Sequence, residues 1–110
     1  QELAVAAAYN APVIVVIVNN AYLGLIRQNQ KYAYEFEYAV EMNVNQGVMD
    51  YVKVAEGCAC AGERVFKPED IAGALERAAA SNKPYIIDIV CELQTDCSMG
   101  GAVNSVREFV

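Results

Sequence analysis

The sequence predicts an α/β fold in which a parallel sheet carries helices on both faces. Residues 13–18 (VIVVIV) form an apolar run without polar alternation, which is typical of a strand buried on both sides. Residues 85–91 form a second apolar strand, interrupted only by Asp88. Segments with helical spacing lie between these strands, and such alternation favours right-handed crossovers and a parallel sheet. We therefore expect residues 13–18 at the centre of that sheet.

The first half of the chain is predicted to run from a helix through this strand into a loop. Residues 3–9 are rich in alanine and favour the last turns of a helix, which Asn10 and Pro12 would end. After the strand, residues 23–32 are compatible with a short helix. Residues 34–48 are polar, aromatic and irregular, so we expect a long loop there.

The second half is predicted to contain two helices and two strands. Asp50 is a suitable N-cap for one helix, and Pro68 opens another with two acidic residues in its first turn. Residues 63–66 favour a short strand between them. The two apolar helix faces comprise Tyr51, Val54, Ala55, Cys58, Ala59 and Gly62, and Ile71, Ala74, Leu75 and Ala78. We expect residues 92–110 to be a C-terminal tail with a turn at residues 98–101.

Composition and charge exclude several classes of function. The net charge is −6 and no basic patch exists, which argues against a nucleic-acid partner. The longest apolar run is far shorter than the ~20 residues that a membrane-spanning helix needs. The chain has no histidine, so it cannot by itself build a Ser-His-Asp or Cys-His hydrolase. Apolar residues make up 55% of the chain, which indicates surface that other domains or subunits cover.

The four cysteines do not have the spacing of a structural zinc site. They are Cys58, Cys60, Cys91 and Cys97. Because the chain shows no secretory features, we expect reduced thiols and a cytoplasmic protein. The sequence starts at Gln1 inside a helix-like run, so we expect a fragment of a larger enzyme.

A candidate binding site follows the first predicted strand. Open parallel sheets bind ligands beyond the carboxyl ends of their strands, and residues 19–24 (NNAYLG) occupy that position. Amide and carbonyl oxygens are neutral ligands for Mg²⁺, and free N–H groups at the next helix start would suit a phosphate. No carboxylate lies in this loop. The alternative that Asn19 and Asn20 only turn the chain therefore stays open.

The loop resembles the closing half of the thiamine-diphosphate motif, whose opening half is Gly-Asp-Gly. Four blocks in the same order resemble segments of the glyoxylate carboligase family: residues 19–28, 50–57, 64–72 and 98–101. The resemblance covers nearly the whole chain. The segment 34–50 is shorter than we expect for this family, and the Gly-Asp-Gly half would precede Gln1. The resemblance therefore implies a partial cofactor site, without the aspartate that also binds the metal, and no activity from these residues alone.

The resemblance implies an enzyme that joins two glyoxylate molecules into tartronate semialdehyde with release of CO₂. It implies thiamine diphosphate and Mg²⁺ as cofactors, and FAD in another domain of the full-length family, which forms homodimers or homotetramers. The cofactor-binding residues would be Asn20, Ala21, Tyr22, Leu23 and Gly24. Asn20 would bind Mg²⁺ through its side chain and Tyr22 through its backbone carbonyl, while Asn19 would brace the loop. Leu23 and Ile26, which share a helix face, would border the substrate pocket or, alternatively, pack in the core.

Other notable side chains are expected to be structural, and no residue of the chain is implied as a catalytic group. We expect Arg27 in a surface or interface ion pair rather than as a carboxylate clamp. Asp88 is expected at an edge or interface. Lys53 and Glu56 are expected in solvent, and Tyr32, Tyr34 and Tyr38 under the loop.

Three alternatives remain from the sequence. The sister enzyme acetohydroxyacid synthase shares the fold, but it should have a tryptophan near the helix, and this chain contains none. A 2-oxoacid or oxalyl-CoA decarboxylase is a second alternative. A non-catalytic α/β module, in which the Asn-Asn loop is only a turn, is a third.

Overall fold

The computed structural model describes residues 1–44 and 47–92. Contacts divide the chain into two units. The sheet unit comprises Gln1–Asn19 and Asp50–Cys91, and the loop unit comprises Asn20–Met49 and Glu92–Val110. The turn predicted at residues 98–101 lies outside the described residues. That residues 1–110 are the C-terminal part of one larger cofactor-binding domain stays a prediction.

The order of elements is close to the one that the sequence predicts. In chain order they are α1 (Glu2–Ala8), β1 (Ile14–Asn19), α2 (Gly24–Asn29), β2 (Asn43–Val44), β3 (Gly47–Val48), α3 (Tyr51–Gly57), β4 (Ala61–Val65), α4 (Ile71–Ser81) and β5 (Tyr85–Val90). A π-helical turn, Gln30–Tyr34, continues α2, and a 3-10 turn, Pro68–Asp70, precedes α4. The segment predicted as an irregular loop contains the short antiparallel pair of β2 and β3.

The sheet unit contains a parallel three-stranded sheet in the order β1-β5-β4. Tyr85 is the register partner of both Ile14 and Ala61, so β5 is hydrogen-bonded along both of its edges. Successive side chains of a strand point to opposite faces, and β5 buries both faces. The α/β fold with a parallel sheet is therefore confirmed.

Helices cover both faces of this sheet. On one face Ile87 packs with Val65 and with Ala74 and Ala78 of α4. On the other face Ile86 packs with Ala55 of α3, and the same cluster includes residues of α1. The small alanine side chains allow each helix to lie close to the central strand, which is why α3 and α4 carry them on their inner faces.

The prediction that residues 13–18 form the central strand is wrong for the described chain. Strand β1 pairs with β5 along one edge only, and no strand among residues 1–44 and 47–92 pairs with its other edge. Most of its side chains are exposed, including Val16 and Val18. An uninterrupted apolar run indicates surface that is suited to burial on both sides. It does not indicate which neighbouring segment provides the cover.

The helix ends follow local sequence rules. Asp50 caps α3 as predicted, because its Oδ1 accepts a hydrogen bond from the Lys53 N–H at 3.1 Å. The buried apolar faces of α3 and α4 contain fewer residues than predicted. Val54 and Leu75 are exposed, whereas Ala59 and Gly62 lie beyond the end of α3.

Candidate functional site

The Asn-Asn loop folds so that the Asn20 side chain lies against its own backbone. Its Oδ1 accepts a hydrogen bond from the Tyr22 N–H at 3.2 Å. Ala21, between them, is buried and has a φ of 58°, a left-handed conformation that is uncommon for alanine. The turn therefore holds the Asn20 amide oxygen, one predicted metal ligand, against the N–H of Tyr22, the residue whose carbonyl is the other predicted ligand.

Gly24 leaves the space that this arrangement needs. A Cβ atom at this position would lie 3.2 Å from Nδ2 of Asn20, which is closer than an ordinary van der Waals contact. A side chain at this position would require the Asn20 amide to shift by a few tenths of an ångström. The glycine of the predicted NNAYLG motif therefore has a steric role in this loop.

A short β-bridge joins the Asn-Asn loop to the segment around Glu41. Tyr22 and Glu41 form an isolated antiparallel pair. The Leu23 N–H donates to the Val40 carbonyl at 2.8 Å, and the Met42 N–H donates to the Ala21 carbonyl at 2.7 Å. These flanking bonds make Tyr22 and Glu41 a non-hydrogen-bonded pair, so the Tyr22 carbonyl turns away from Glu41.

Arg27 lies in a partly buried ion pair with Glu37 rather than in an open substrate clamp. Its Nε is 2.7 Å and its Nη2 is 3.3 Å from the two carboxylate oxygens of Glu37. The side chain of Arg27 is 8% exposed. Its guanidinium lies 4.6 Å from the centre of the Tyr22 ring, within the range of a cation–π contact. The predicted ion pair is confirmed: Arg27 is buried, whereas the Glu37 side chain is 36% exposed, so the pair reaches the surface of the loop unit.

The hydroxyl of Tyr22 faces a carboxylate. It donates a hydrogen bond to Oε1 of Glu41 at 3.3 Å. Loss of solvent around the ring raises the pKa of Tyr22, and the negative charge of Glu41 raises it further. Tyr22 is therefore held by its backbone, its ring and its hydroxyl. No signal in the sequence pointed to the contacts of the ring and the hydroxyl.

The two predicted pocket residues, Leu23 and Ile26, are both exposed. The alternative that they pack in the core of the described chain is wrong. Tyr32, Tyr34 and Tyr38 are exposed as well, so the prediction that they pack under the loop is wrong for all three rings. The loop unit thus presents several large apolar side chains on its surface, and the assignment of Leu23 and Ile26 to a substrate pocket stays a prediction.

The donor atoms of this loop fit a cation that has other ligands too. In the part of the chain that the structure describes, no three His, Cys, Asp or Glu side chains cluster as a metal site. The oxygens of the loop are neutral, namely the Asn20 amide oxygen and the Tyr22 carbonyl. Mg²⁺ in proteins is commonly bound by a few protein oxygens together with phosphate oxygens and water. The loop therefore suits one part of a shared coordination shell.

A second polar cluster lies in the sheet unit. Asp88 is completely buried in the central strand, so its predicted position at an edge or interface is wrong for the described chain. Its Oδ1 accepts a hydrogen bond from Asn19 Nδ2 at 2.9 Å. Its Oδ2 lies 2.7 Å from both Nε and Nη2 of Arg64. Nη2 of Arg64 also lies 3.8 Å from Asp50, the residue that caps α3.

The three described cysteines, Cys58, Cys60 and Cys91, are free thiols. Cys60 is buried, and this burial raises its pKa above the ordinary value. Its Sγ lies 3.4 Å from the carbonyl of Leu3, to which the thiol donates. A buried thiol that stays protonated is a packing residue.

Within residues 1–44 and 47–92, no helix has the length and apolar character needed to cross a membrane.

The parallel sheet, with its carboxyl-end Asn-Asn loop, defines a cofactor-binding α/β domain. Residues 1–89 match the family described as "Thiamine pyrophosphate enzyme, C-terminal TPP binding domain", and the chain belongs to this family. The family resemblance found in the sequence is therefore confirmed.

Sequence identities to individual proteins are more specific than the family match. The chain is 46% identical to glyoxylate carboligase of Escherichia coli O157:H7, over 99% of this chain and 20% of that protein. It is 37% identical to the acetolactate synthase large subunit of Corynebacterium glutamicum, over 82% of this chain and 15% of that protein. The alignment with the first relative extends over 121 positions, whereas the chain has 110 residues, so that relative contains residues that this chain lacks.

A solved structure agrees with these sequence matches. The fold is similar to the Rhodococcus jostii RHA1 thiamine diphosphate-dependent 4-hydroxybenzoylformate decarboxylase, with a TM-score of 0.73 and 29% identity. The match covers 84% of this chain and 17% of that one. The chain thus spans a fifth or less of the length of each of these relatives.

Proposed function

We propose that the chain contributes the metal-binding half of the cofactor site in a thiamine-diphosphate-dependent lyase that condenses two glyoxylate molecules. The observation that carries the cofactor role is the Asn20 turn, in which the amide oxygen lies beside the Tyr22 backbone and Gly24 leaves room for it. The choice of glyoxylate is supported by the 46% identity to glyoxylate carboligase. In the proposed reaction, two glyoxylate ions and one proton give tartronate semialdehyde and CO₂.

Each residue of the loop has a proposed task. The Asn20 side chain and the Tyr22 carbonyl would hold Mg²⁺, which would supply positive charge for binding the diphosphate. Ala21, Leu23 and Gly24 would lie against the diphosphate, because the backbone of a tight turn can bind an anion. The Leu23 N–H already donates to the Val40 carbonyl, so Leu23 would not contribute an N–H group. Leu23 and Ile26 form an apolar wall that keeps water from the reacting carbon atoms. When bound, the cofactor would accept the electron pair that decarboxylation leaves and would return that pair to form the new carbon–carbon bond.

The proposed site is completed outside residues 1–110. The loop offers neutral oxygens, so a carboxylate from elsewhere in the assembly would balance the charge of the metal. We propose that the enzyme is a cytoplasmic homodimer or homotetramer that also carries FAD, and that residues 1–110 alone are inactive. CO₂ release from glyoxylate by residues 1–110 with thiamine diphosphate and Mg²⁺ would contradict this proposal.

The metal role can be tested by changing Asn20→Ala in the full-length enzyme. Removal of a ligand from a buried ion should lower the affinity for Mg²⁺ about 10- to 100-fold. Calorimetric titration of Mg²⁺ in the presence of excess thiamine diphosphate measures this change directly. Asn29→Ala is a matched control, because Asn29 is an exposed asparagine of the same loop unit. Equal Mg²⁺ affinities in both variants would show that Asn20 is not a ligand.

An acetolactate synthase-like activity is the second candidate, and the similarity to the Corynebacterium glutamicum protein favours it. The two candidates share the cofactor and differ in the 2-oxoacid that they decarboxylate. Assays with glyoxylate and with pyruvate, each measured by CO₂ release, would separate them. A larger kcat/KM for pyruvate would replace the glyoxylate proposal but would leave the metal role of Asn20 intact.

A further inference from the structure

We propose that Asp88, together with Arg64, is a positioning residue for the metal-binding loop, and that it acts through Asn19. This inference rests on the proposed function of the loop. Asn19 is the last residue of β1, and its peptide bond leads directly to Asn20, the proposed ligand. A group that fixes Asn19 therefore fixes the point from which the loop leaves the sheet.

The hydrogen bonds of Asn19 come from two directions. Its side-chain Nδ2 donates to Oδ1 of Asp88 at 2.9 Å, and its carbonyl accepts the Cys91 N–H at 2.8 Å. Both partners belong to β5 or directly follow it. Asn19 is buried, and a hydrogen bond to an ionised acceptor is shorter and stronger than one between neutral groups. The last residue of β1 is thus held by its main chain and by its side chain.

Arg64 completes the cluster by fixing the acceptor. It lies directly opposite Asp88 in the register of β4 and β5, and Ile17 lies opposite Asp88 in β1. Both guanidinium contacts reach Oδ2 of Asp88, which leaves Oδ1 turned towards Asn19. The carboxylate is therefore locked in one orientation. This orientation is the one that holds the Asn19 amide.

The position of the cluster argues against a purely stabilising role. Asp88 interrupts an otherwise apolar central strand. The desolvation free energy that is lost when a charged pair is buried offsets much of the electrostatic attraction between the two charges. Replacement of such a pair by apolar residues of similar volume is often neutral or favourable for stability. A directional charged hydrogen bond offers what apolar packing cannot, namely a fixed position for Asn19. Small displacements of binding groups strongly reduce binding and catalysis.

The test compares two effects of the Arg64–Asp88 pair in the full-length enzyme, namely its effect on Mg²⁺ affinity and its effect on the stability of the fold. The double variant Arg64→Met/Asp88→Leu removes both charges together and keeps similar volumes. We expect its urea midpoint to fall only as far as the loss of the acceptor for the buried Asn19 Nδ2 requires. Its affinity for Mg²⁺ with excess thiamine diphosphate should fall about 10-fold, as for the loss of other groups that support metal ligands.

A second ion pair of the sheet unit provides the matched control. Arg77 binds Glu63 with two contacts, at 3.1 and 2.7 Å, and Glu63 lies in β4 as Arg64 does. Neighbouring residues of a strand face opposite sides, so this pair lies on the other face of the sheet. The variant Glu63→Leu/Arg77→Met should leave the Mg²⁺ affinity unchanged. An equal fall in both double variants, or no fall in either, would overturn the inference.

An exchange of groups gives an independent test that does not depend on apolar replacement. Asn19→Asp places two carboxylates against each other and should weaken Mg²⁺ binding. The double variant Asn19→Asp/Asp88→Asn restores a carboxylate facing an amide and should recover several-fold of the lost affinity. If the double variant binds Mg²⁺ no better than Asn19→Asp, the positioning role is wrong.

The same titrations distinguish a failure of this inference from a failure of the proposed function. If Asn20→Ala weakens Mg²⁺ binding while the Asp88 variants do not, the loop binds the metal without help from Asp88. If Asn20→Ala and the Asp88 variants all bind Mg²⁺ normally, the proposed metal site itself is wrong.

Discussion

Two strands of the sheet unit have similar composition and opposite environments. Both β1 (IVVIVN) and β5 (YIIDIV) are six residues long and rich in Ile and Val. Ile87 of β5 is fully buried, whereas Val16 of β1 is 46% exposed. The strand that contains a carboxylate is the central one, and the strand with the uninterrupted apolar run is at the edge. The comparison shows that strand composition predicts strand formation, and that the neighbouring segments decide burial.

The largest expected difference lies between apolar truncations in the two strands. In residues 1–110, Ile87→Ala should lower the free energy of unfolding by about 2–5 kcal/mol, because it leaves a cavity between α4 and the sheet. Val16→Ala should change it by less than about 0.5 kcal/mol, as exposed substitutions do. Urea denaturation followed by circular dichroism measures both. Equal losses would mean that β1 is as well covered as β5.

A smaller effect is expected from the helix cap that supports one face of β5. Asp50→Ala should cost about 0.5–2 kcal/mol, because α3 loses the side chain that accepts its Lys53 N–H. The same hydrogen bond is the main reason that the pKa of Asp50 is lowered. Stability from this carboxylate is therefore fully present above the unfolded pKa of about 3.9, and it is lost as the pH falls through the lower folded value.

Asp50→Asn separates the cap from its charge. Asparagine is also a good N-cap, so this variant should retain most of the stability at pH 7 and lose the part that depends on titration of Asp50. Urea midpoints of both proteins between pH 6 and pH 2.5 should converge on acidification. Parallel curves over the whole range would contradict the assigned pKa direction.

The smallest effect on stability is expected at the exposed end of β1. Val18 is 71% exposed, so Val18→Lys should change the free energy of unfolding of residues 1–110 by less than about 0.5 kcal/mol. It should nevertheless reduce self-association, because a charge on an open apolar edge opposes pairing of strands between molecules. Analytical ultracentrifugation at several concentrations measures this reduction. Glu56→Gln on the exposed part of α3 is a charge-matched control, because both substitutions raise the net charge by one. Unchanged association of the Val18→Lys variant would mean that another surface causes the association.

The features that the sequence predicted are those that depend on nearby residues. The cap at Asp50 needs only Lys53, three residues away, and the Asn20 turn needs only Tyr22 and Gly24. The start of α4 is similarly local, since Pro68 and two acidic residues mark it. Each of these patterns is contained in a few consecutive residues, so one sequence was sufficient to find them.

The features that the sequence missed join distant segments. Asp88 was predicted at an edge or interface because its partner Arg64 is 24 residues away and Asn19 is 69 residues away. The position of β1 depends on which strand pairs with it, and no periodicity within residues 13–18 contains that information. Only the pairing of whole segments could place the apolar run at an edge and the carboxylate at the centre.

The long separation between β1 and β5 has a consequence for the order of events during synthesis. Register partners such as Ile14 and Tyr85 are 71 residues apart, so pairing cannot begin until β5 has been made, and chains grow at about 5–20 residues per second. The apolar side chains of β1 therefore stay unpaired for on the order of 3 to 14 seconds after β1 has been made. This exposure makes β1 a natural binding segment for chaperones. Additional residues between β1 and α3 would lengthen that time in proportion, although each doubling of a loop costs only about 0.6 kcal/mol at equilibrium. A longer loop would therefore lengthen the exposure of β1 in the nascent chain more than it would lower the stability of the folded protein.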